Sequence, residues 1–164
     1  MPKEPRTTRK RSLSQSEYRK LSEFRYQIRR FLRFSEDNAR ARGLEPQQHQ
    51  TLLAIKGAPV GEEPTIAFLA KRMQLAHHTM VELVDRVVEK GLAERKPSTT
   101  DRRSTLVNLT PAGAKVLGEL SVLTYAEIQT KFVELMDALQ RVLDDKPQPP
   151  TDRSASARTK AGNV

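Results

Sequence analysis

The stretch from Leu69 to Gly113 constrains the fold of this chain more than any other, because it switches from helical to strand periodicity and back. A short helical segment, Ile66–Met73, ends in the turn Gln74-Leu75-Ala76. A second segment from His77 to about Lys90 carries Met80, Leu83, Val84, Val87 and Val88 on one face, and Gly91 is placed to end it. Leu92–Lys96 and Thr105–Leu109 then read as strands with partial alternation. The polar run Pro97–Ser104 between them is too long for a two-residue turn. Thr110 and Pro111 restart a helix, with threonine as the cap and proline in the first turn. Helix, tight turn, helix, hairpin, helix predicts a mainly α chain with a small β wing, a winged helix-turn-helix.

The flanks extend this pattern. Ser14 and Glu17 have capping-box spacing, and Leu13 can staple onto Tyr18. Leu21, Phe24, Ile28, Phe31, Leu32 and Ser35 then recur at spacings of three and four, which predicts a long helix with one buried face, ended by Gly43. Pro46 and Gly57 bracket a second helix, and the loop Gly57–Pro64 has room for a short strand at Ala58–Val60. Thr65 can cap the third helix. After Thr110 two further helical segments are expected: one carrying Val116, Leu117, Leu120 and Leu123, then one carrying Ile128, Phe132, Leu135, Leu139 and Val142 in a 4-3-4-3 seam. These terminal helices hold more apolar surface than a small winged-helix core needs. Packing on each other within one chain would cover it, and so would a homodimer interface. The predicted organisation is a disordered basic arm over residues 1–12, a helical dimerisation region over 13–45 and 110–143, a winged-helix DNA-binding domain over 46–109, and a disordered tail over 144–164.

Charge is unevenly placed. The net charge is +9, and residues 1–33 carry eleven Lys/Arg against three Asp/Glu, whereas residues 34–143 carry fourteen of each. A basic arm of this kind serves equally as a polyanion contact or as a solubilising tail. Cysteine is absent, which removes disulfides and thiolate metal sites and fits a cytoplasmic protein. No apolar run approaches the length of a membrane span, and the N-terminus has no apolar core of a secretory signal.

In a helix-turn-helix the second helix presents its N-terminal residues to base edges in the major groove. Here those residues are His77, His78 and Thr79, with Glu82 one turn on. They face away from the apolar stripe, as any solvated helix face would. Histidine and threonine can donate or accept, Glu82 can accept from a cytosine amino group, and Arg86 is placed for a phosphate. Lys71 and Arg72, at the end of the third helix, are further phosphate candidates. The wing carries Arg95 and Lys96 in its first strand and Arg102 and Arg103 in its loop. Loop-tip cations suit the narrow, strongly negative minor groove of A·T-rich DNA. Asp101 is an unlikely neighbour for a polyanion, and its expected role is to pair with an arginine and fix the loop. Together these features point to double-stranded DNA as the partner. A winged helix used only for protein assembly and a non-specific architectural DNA binder are the competing readings.

The run LAKRMQLAHHTMVELVDRVVEKGLAERKPSTTDRRSTLVNLTPAG resembles the MarR family of bacterial winged-helix regulators. The likeness lies in the Leu-Ala opening of the third helix, in Val84-Asp85-Arg86 with Glu89-Lys90-Gly91-Leu92, in Arg95, in the wing pair Asp101 and Arg103, and in Leu109-Thr110 with Gly113. It implies a homodimeric transcriptional regulator, usually a repressor on a palindromic site, often released by a small molecule such as an aromatic or phenolic effector. It also implies an effector pocket between the DNA-binding lobe and the dimer helices, for which Tyr26, Arg30, His49 and Phe68 are the candidates. Arg95 and Asp101 would hold the wing's structure. The chain departs from the family pattern in three places, one of them the last helical segment, which is short before the prolines. Phe68 stands where a carboxylate often completes the third helix's cap, and the His77-His78 pair replaces a Ser/Thr-rich reading edge.

Enzyme chemistry finds no support. There is no glycine-rich phosphate loop, no G-x-S-x-G and no plausible carboxylate pair. Adjacent histidines on a helix diverge by about 100° and make a poor chelate, so neither a metal nor a cofactor is expected.

Overall fold

The computed structural model describes residues 12–98 and 104–144. The described residues form α1 (Gln15–Ala41), α2 (Pro46–Lys56), α3 (Ile66–Met73), α4 (His77–Glu89), β1 (Ala93–Pro97), β2 (Thr105–Leu109) and α5 (Pro111–Leu143). The arm and tail expected at the two ends lie outside them, apart from Ser12 and Asp144. Compactness divides the chain into two units, one holding α1 up to Ile28 and α5 from Val133, the other spanning Arg29–Phe132.

Helix boundaries follow local chemistry. The Ser14 N–H donates to Glu17 Oε2 at 2.7 Å and the Glu17 N–H to Ser14 Oγ at 3.2 Å, the reciprocal capping box that starts α1. Leu13 and Tyr18, the expected staple, are both exposed. Past the end of α1, Gly43 takes φ 71° and Leu44 N–H returns to the Ala39 carbonyl at 3.0 Å. The Lys90 ammonium donates to the Gly43 carbonyl at 3.0 Å. Thr65 Oγ1 accepts the Phe68 N–H at 3.2 Å and starts α3. The cap therefore needs only the backbone of Phe68, whose side chain packs half-buried against the core.

The unit spanning Arg29–Phe132 holds the main core. Leu52 of α2, Leu69 of α3, Met80, Leu83, Val84 and Val87 of α4, and Val107 of β2 are each 2% exposed or less. Each such side chain contributes about 1.5–3 kcal/mol of apolar burial. β1 and β2 pair antiparallel, from Ala93 opposite Leu109 to Pro97 opposite Thr105. The short strand expected at Ala58–Val60 does not form. Val60 is fully exposed, and the third sheet contact comes later, where Val107 N–H donates to the Pro64 carbonyl at 3.0 Å and Thr65 bridges Leu106. Pro64 can still serve as an acceptor there because only its N–H is missing.

Two other expectations are corrected. The helical segments expected after Thr110 are one helix of 33 residues, about 50 Å long. Thr124-Tyr125-Ala126-Glu127 contains no glycine or proline, and the Thr124 hydroxyl is satisfied within the helix by the Leu120 carbonyl at 2.9 Å. The seam Ile128, Phe132, Leu135, Leu139, Val142 is half-buried throughout. Phe132 meets Phe31 edge to face, with ring centroids 5.6 Å apart. On α1 the expected buried stripe is only partly covered: Phe24, Ile28 and Phe31 are half-buried, while Leu21 and Leu32 are exposed.

Candidate nucleic-acid interface

The turn between α3 and α4 is built by backbone geometry. Gln74 adopts φ 55°, and Leu75 N–H donates to the Ala70 carbonyl at 2.9 Å. Lys71 and Arg72 occupy the last turn of α3, where cations complement the helix dipole, and both are exposed. Ala76, the N-cap of α4, has an extended backbone and no side-chain acceptor to offer. The first N–H groups of α4 therefore gain no side-chain cap from it.

On α4, His77, His78, Glu82 and Arg86 are exposed and Thr79 is half-buried, while Met80, Leu83, Val84 and Val87 form the covered face. The Arg86 Nε–H donates to the Glu82 carbonyl at 3.3 Å, which lays the guanidinium along its own helix. One amphipathic helix thus presents a polar edge that begins at its uncapped end. Lys71 and Arg72 lie just upstream, across the three-residue turn.

The wing is braced against this helix. The Arg95 guanidinium on β1 forms an ion pair with Asp85 of α4, and its Nη2 donates to the Val81 carbonyl at 3.4 Å. Arg95 is thereby a link between strand and helix. Lys96 pairs with Glu94 at 2.6 Å on the same strand. Asp101, Arg102 and Arg103 lie outside the described residues. The root of the wing is also tied to α5. The Thr110 hydroxyl donates to the Gly91 carbonyl at 2.7 Å and accepts the Gly113 N–H at 3.1 Å. A Cβ at Gly113 would overlap the Leu92 carbonyl oxygen, so only glycine permits this approach.

The proposed effector residues do not share one environment. Tyr26 is 48% exposed and belongs to the unit that ends at Ile28. Arg30, on the other unit, is exposed as well. His49 is 3% exposed, and burial lowers its pKa below the ordinary histidine value by stripping water from the charged form. A cleft of about 390 Å³ lies elsewhere, lined by Glu45, Pro46, Gln47, Gln48, Leu83 and Arg86, and includes none of these four. Sequence reading missed Asp85 as the partner of Arg95 and gave Glu63 and Ser98 no role. The only sequence signal for the first pair is an acid on α4 followed by an arginine in the next strand.

Residues 42–104 match the model of the MarR family. A Thauera aromatica protein described as a transcriptional regulatory protein for the hcr operon is 29% identical over 114 residues, which cover 70% of this chain and 67% of that protein. AbsC, a MarR family transcriptional regulator of Streptomyces coelicolor, superposes with a TM-score of 0.67 at 18% identity, covering 82% of this chain and 94% of AbsC. A mutant E. coli MarR complexed with operator DNA superposes at 0.58 and 21% identity, covering 73% and 86%. These structures share the fold of this chain. The proteins it resembles are described as transcriptional regulators. Among the described residues no helix is long and apolar enough to cross a membrane.

Proposed function

We propose that this chain is a MarR-type transcriptional regulator, a cytoplasmic homodimer that binds a pseudo-palindromic operator in double-stranded DNA and represses transcription. The observation that carries this reading is α4, with His77, His78 and Glu82 exposed over a fully buried opposite face. His77, His78, Thr79 and Glu82 read base edges. Lys71, Arg72, Arg86 and the basic arm of residues 1–12 contact phosphates, and Arg102 and Arg103 enter the minor groove. Arg95 holds the wing through Asp85, and Asp101 fixes the loop. The operator complex of E. coli MarR supports this docking by likeness of fold. Exposed apolar side chains on both long helices, among them Tyr18, Val122 and Val133, support self-association.

Two recognition helices related by a two-fold axis meet successive major grooves about 34 Å apart. A small aromatic or phenolic effector lowers affinity by favouring a dimer whose lobes are wrongly spaced. Selection of bound sequences from a random duplex library at physiological salt tests the proposal. An inverted repeat with half-sites about one helical turn apart is expected. Retention without a motif would replace it by an architectural role, and no retention by a role in protein assembly.

A further inference from the structure

The C-terminal end of α4 is tied to both long helices. α1 and α4 end in the same way. Beyond α1, Gly43 N–H returns to the Arg40 carbonyl at 2.9 Å and Leu44 N–H to the Ala39 carbonyl at 3.0 Å. Beyond α4, Gly91 N–H returns to the Val88 carbonyl at 2.8 Å and Leu92 N–H to the Val87 carbonyl at 3.1 Å. Each end carries the partial negative charge of a helix C-terminus. Lys90 belongs to the end of α4, and its ammonium donates to the Gly43 carbonyl at the end of α1, at 3.0 Å. One cation thus bridges two negative helix ends.

Two further contacts close a triangle around this tie. The Arg42 Nε–H donates to Glu119 Oε2 at 3.2 Å, joining the end of α1 to α5. The Thr110 N–H donates to the Leu92 carbonyl at 3.1 Å and its hydroxyl to the Gly91 carbonyl, joining the end of α4 to the start of α5. All of these residues lie within Arg29–Phe132. The edge at His77–Thr79 stands at the opposite end of α4, about 20 Å away along 13 residues. Over that length a tilt of about 10° displaces the edge by about 3.5 Å, one base-pair step. We infer that Lys90 is a positioning residue for DNA binding: it fixes the angle between α4 and the end of α1, and through it the distance between the reading edges of two subunits. This inference rests on the homodimer proposed above.

Half-site spacing is the readout, because a contact that only stabilises the fold would not move it. The full chain is titrated against its selected inverted repeat and against the same half-sites set one base pair closer and one farther apart. Thermal midpoint and salt dependence are measured alongside. Lys90→Met keeps the apolar stem and removes the ammonium. It should lower the preference for the selected spacing about fivefold, the scale of one hydrogen bond, with base preference inside each half-site unchanged. Lys90→Arg keeps a cationic donor of similar reach and should retain most of the preference. Lys115→Met removes an exposed charge near the start of α5 and should leave the preference as it was. An equal loss on all three spacings, with the salt slope reduced by about one, would make Lys90 a phosphate contact and overturn the inference. An unchanged preference in Lys90→Met, a lowered midpoint as its sole effect, or an equal loss of preference in Lys115→Met would overturn it too. Should the unsubstituted chain select no inverted repeat, the proposed homodimer on a pseudo-palindrome falls first and this inference with it. Once an inverted repeat is selected, the spacing series bears on Lys90 alone.

Discussion

In the winged helix, Leu52, Leu69, Met80, Val84, Val87 and Val107 are completely buried, whereas along α1 and α5 Tyr18, Tyr26, Val122, Tyr125, Val133 and Met136 remain close to half exposed or more. Both regions are built from amphipathic helices with apolar residues at spacings of three and four. What separates them is covering. α2, α3, α4 and the wing surround one another within Arg29–Phe132, so each stripe finds a partner in the same chain. Beyond Leu120, α5 has a single buried apolar residue, Ala138. The lesson is that periodicity reports which face of a helix is apolar and says nothing about what will cover it.

The junction of wing and α5 gives the harshest test of the covered half of this comparison. Gly113→Ala drives a methyl group into the Leu92 carbonyl, where backbone has to move, and should cost about 4 kcal/mol or prevent folding. Denaturant unfolding reads this directly. A cost below about 1 kcal/mol would mean that the junction yields, and that the two regions are less different than their burial suggests.

A matched pair of methionines sharpens the contrast. Met80 is fully buried in α4, while Met136 is 54% exposed on α5. Met80→Ala should lower stability by about 2–5 kcal/mol, and Met136→Ala by less than about 1 kcal/mol at protein concentrations that keep the chain monomeric. At higher concentration Met136→Ala should cost more if the proposed homodimer covers this surface with a second copy. Sedimentation of Val133→Glu extends the test. A charge placed in a covered homodimer interface should give monomers, and an unchanged dimer would assign this face to something else.

The proposed recognition edge lies in the well-covered region but is made mostly of exposed residues. His77→Ala or His78→Ala should leave unfolding almost untouched while relaxing base discrimination by about 1–3 kcal/mol at one operator position. Competition against single-base operator variants measures it. Equal loss on every sequence would place that histidine on phosphate instead.

Much of the lobe could be read from the chain because its signals are local. Ser14 with Glu17, Thr65, and Thr110 with Pro111 each start a helix with residues a few positions apart, and Gly43 and Gly91 each take the positive φ that ends one. The exposed edge of α4 also follows from periodicity alone. The unity of α5 was less legible, since a helix continues through any stretch that lacks a breaker, and Thr124–Glu127 merely lacks one. The bracing of the wing could not be read at all. Asp85 and Arg95 are ten residues apart and Glu63 and Ser98 thirty-five, and only folding brings either pair together. The same limit applies to Tyr26 and His49, where one proves exposed and the other buried, although both sit on well-read helices.

His49 offers the finest probe of the covered region, because it is the one titratable side chain among the buried residues described. Burial holds its pKa below the ordinary value of 6.5, so the folded state favours neutral imidazole. At pH above 6.5 the folded and unfolded chains both carry it neutral, and its stabilising contribution is fully present. As the pH falls below 6.5 the unfolded chain takes up the proton first, and stability declines towards the lowered folded value. Thermal midpoints between pH 8 and pH 5 should therefore fall on the acid side, and His49→Gln should flatten that fall while shifting the whole curve little. Superimposable slopes for the two proteins would mean that acid destabilises the lobe elsewhere, and that its interior tolerates a charged imidazole at position 49 as readily as water does.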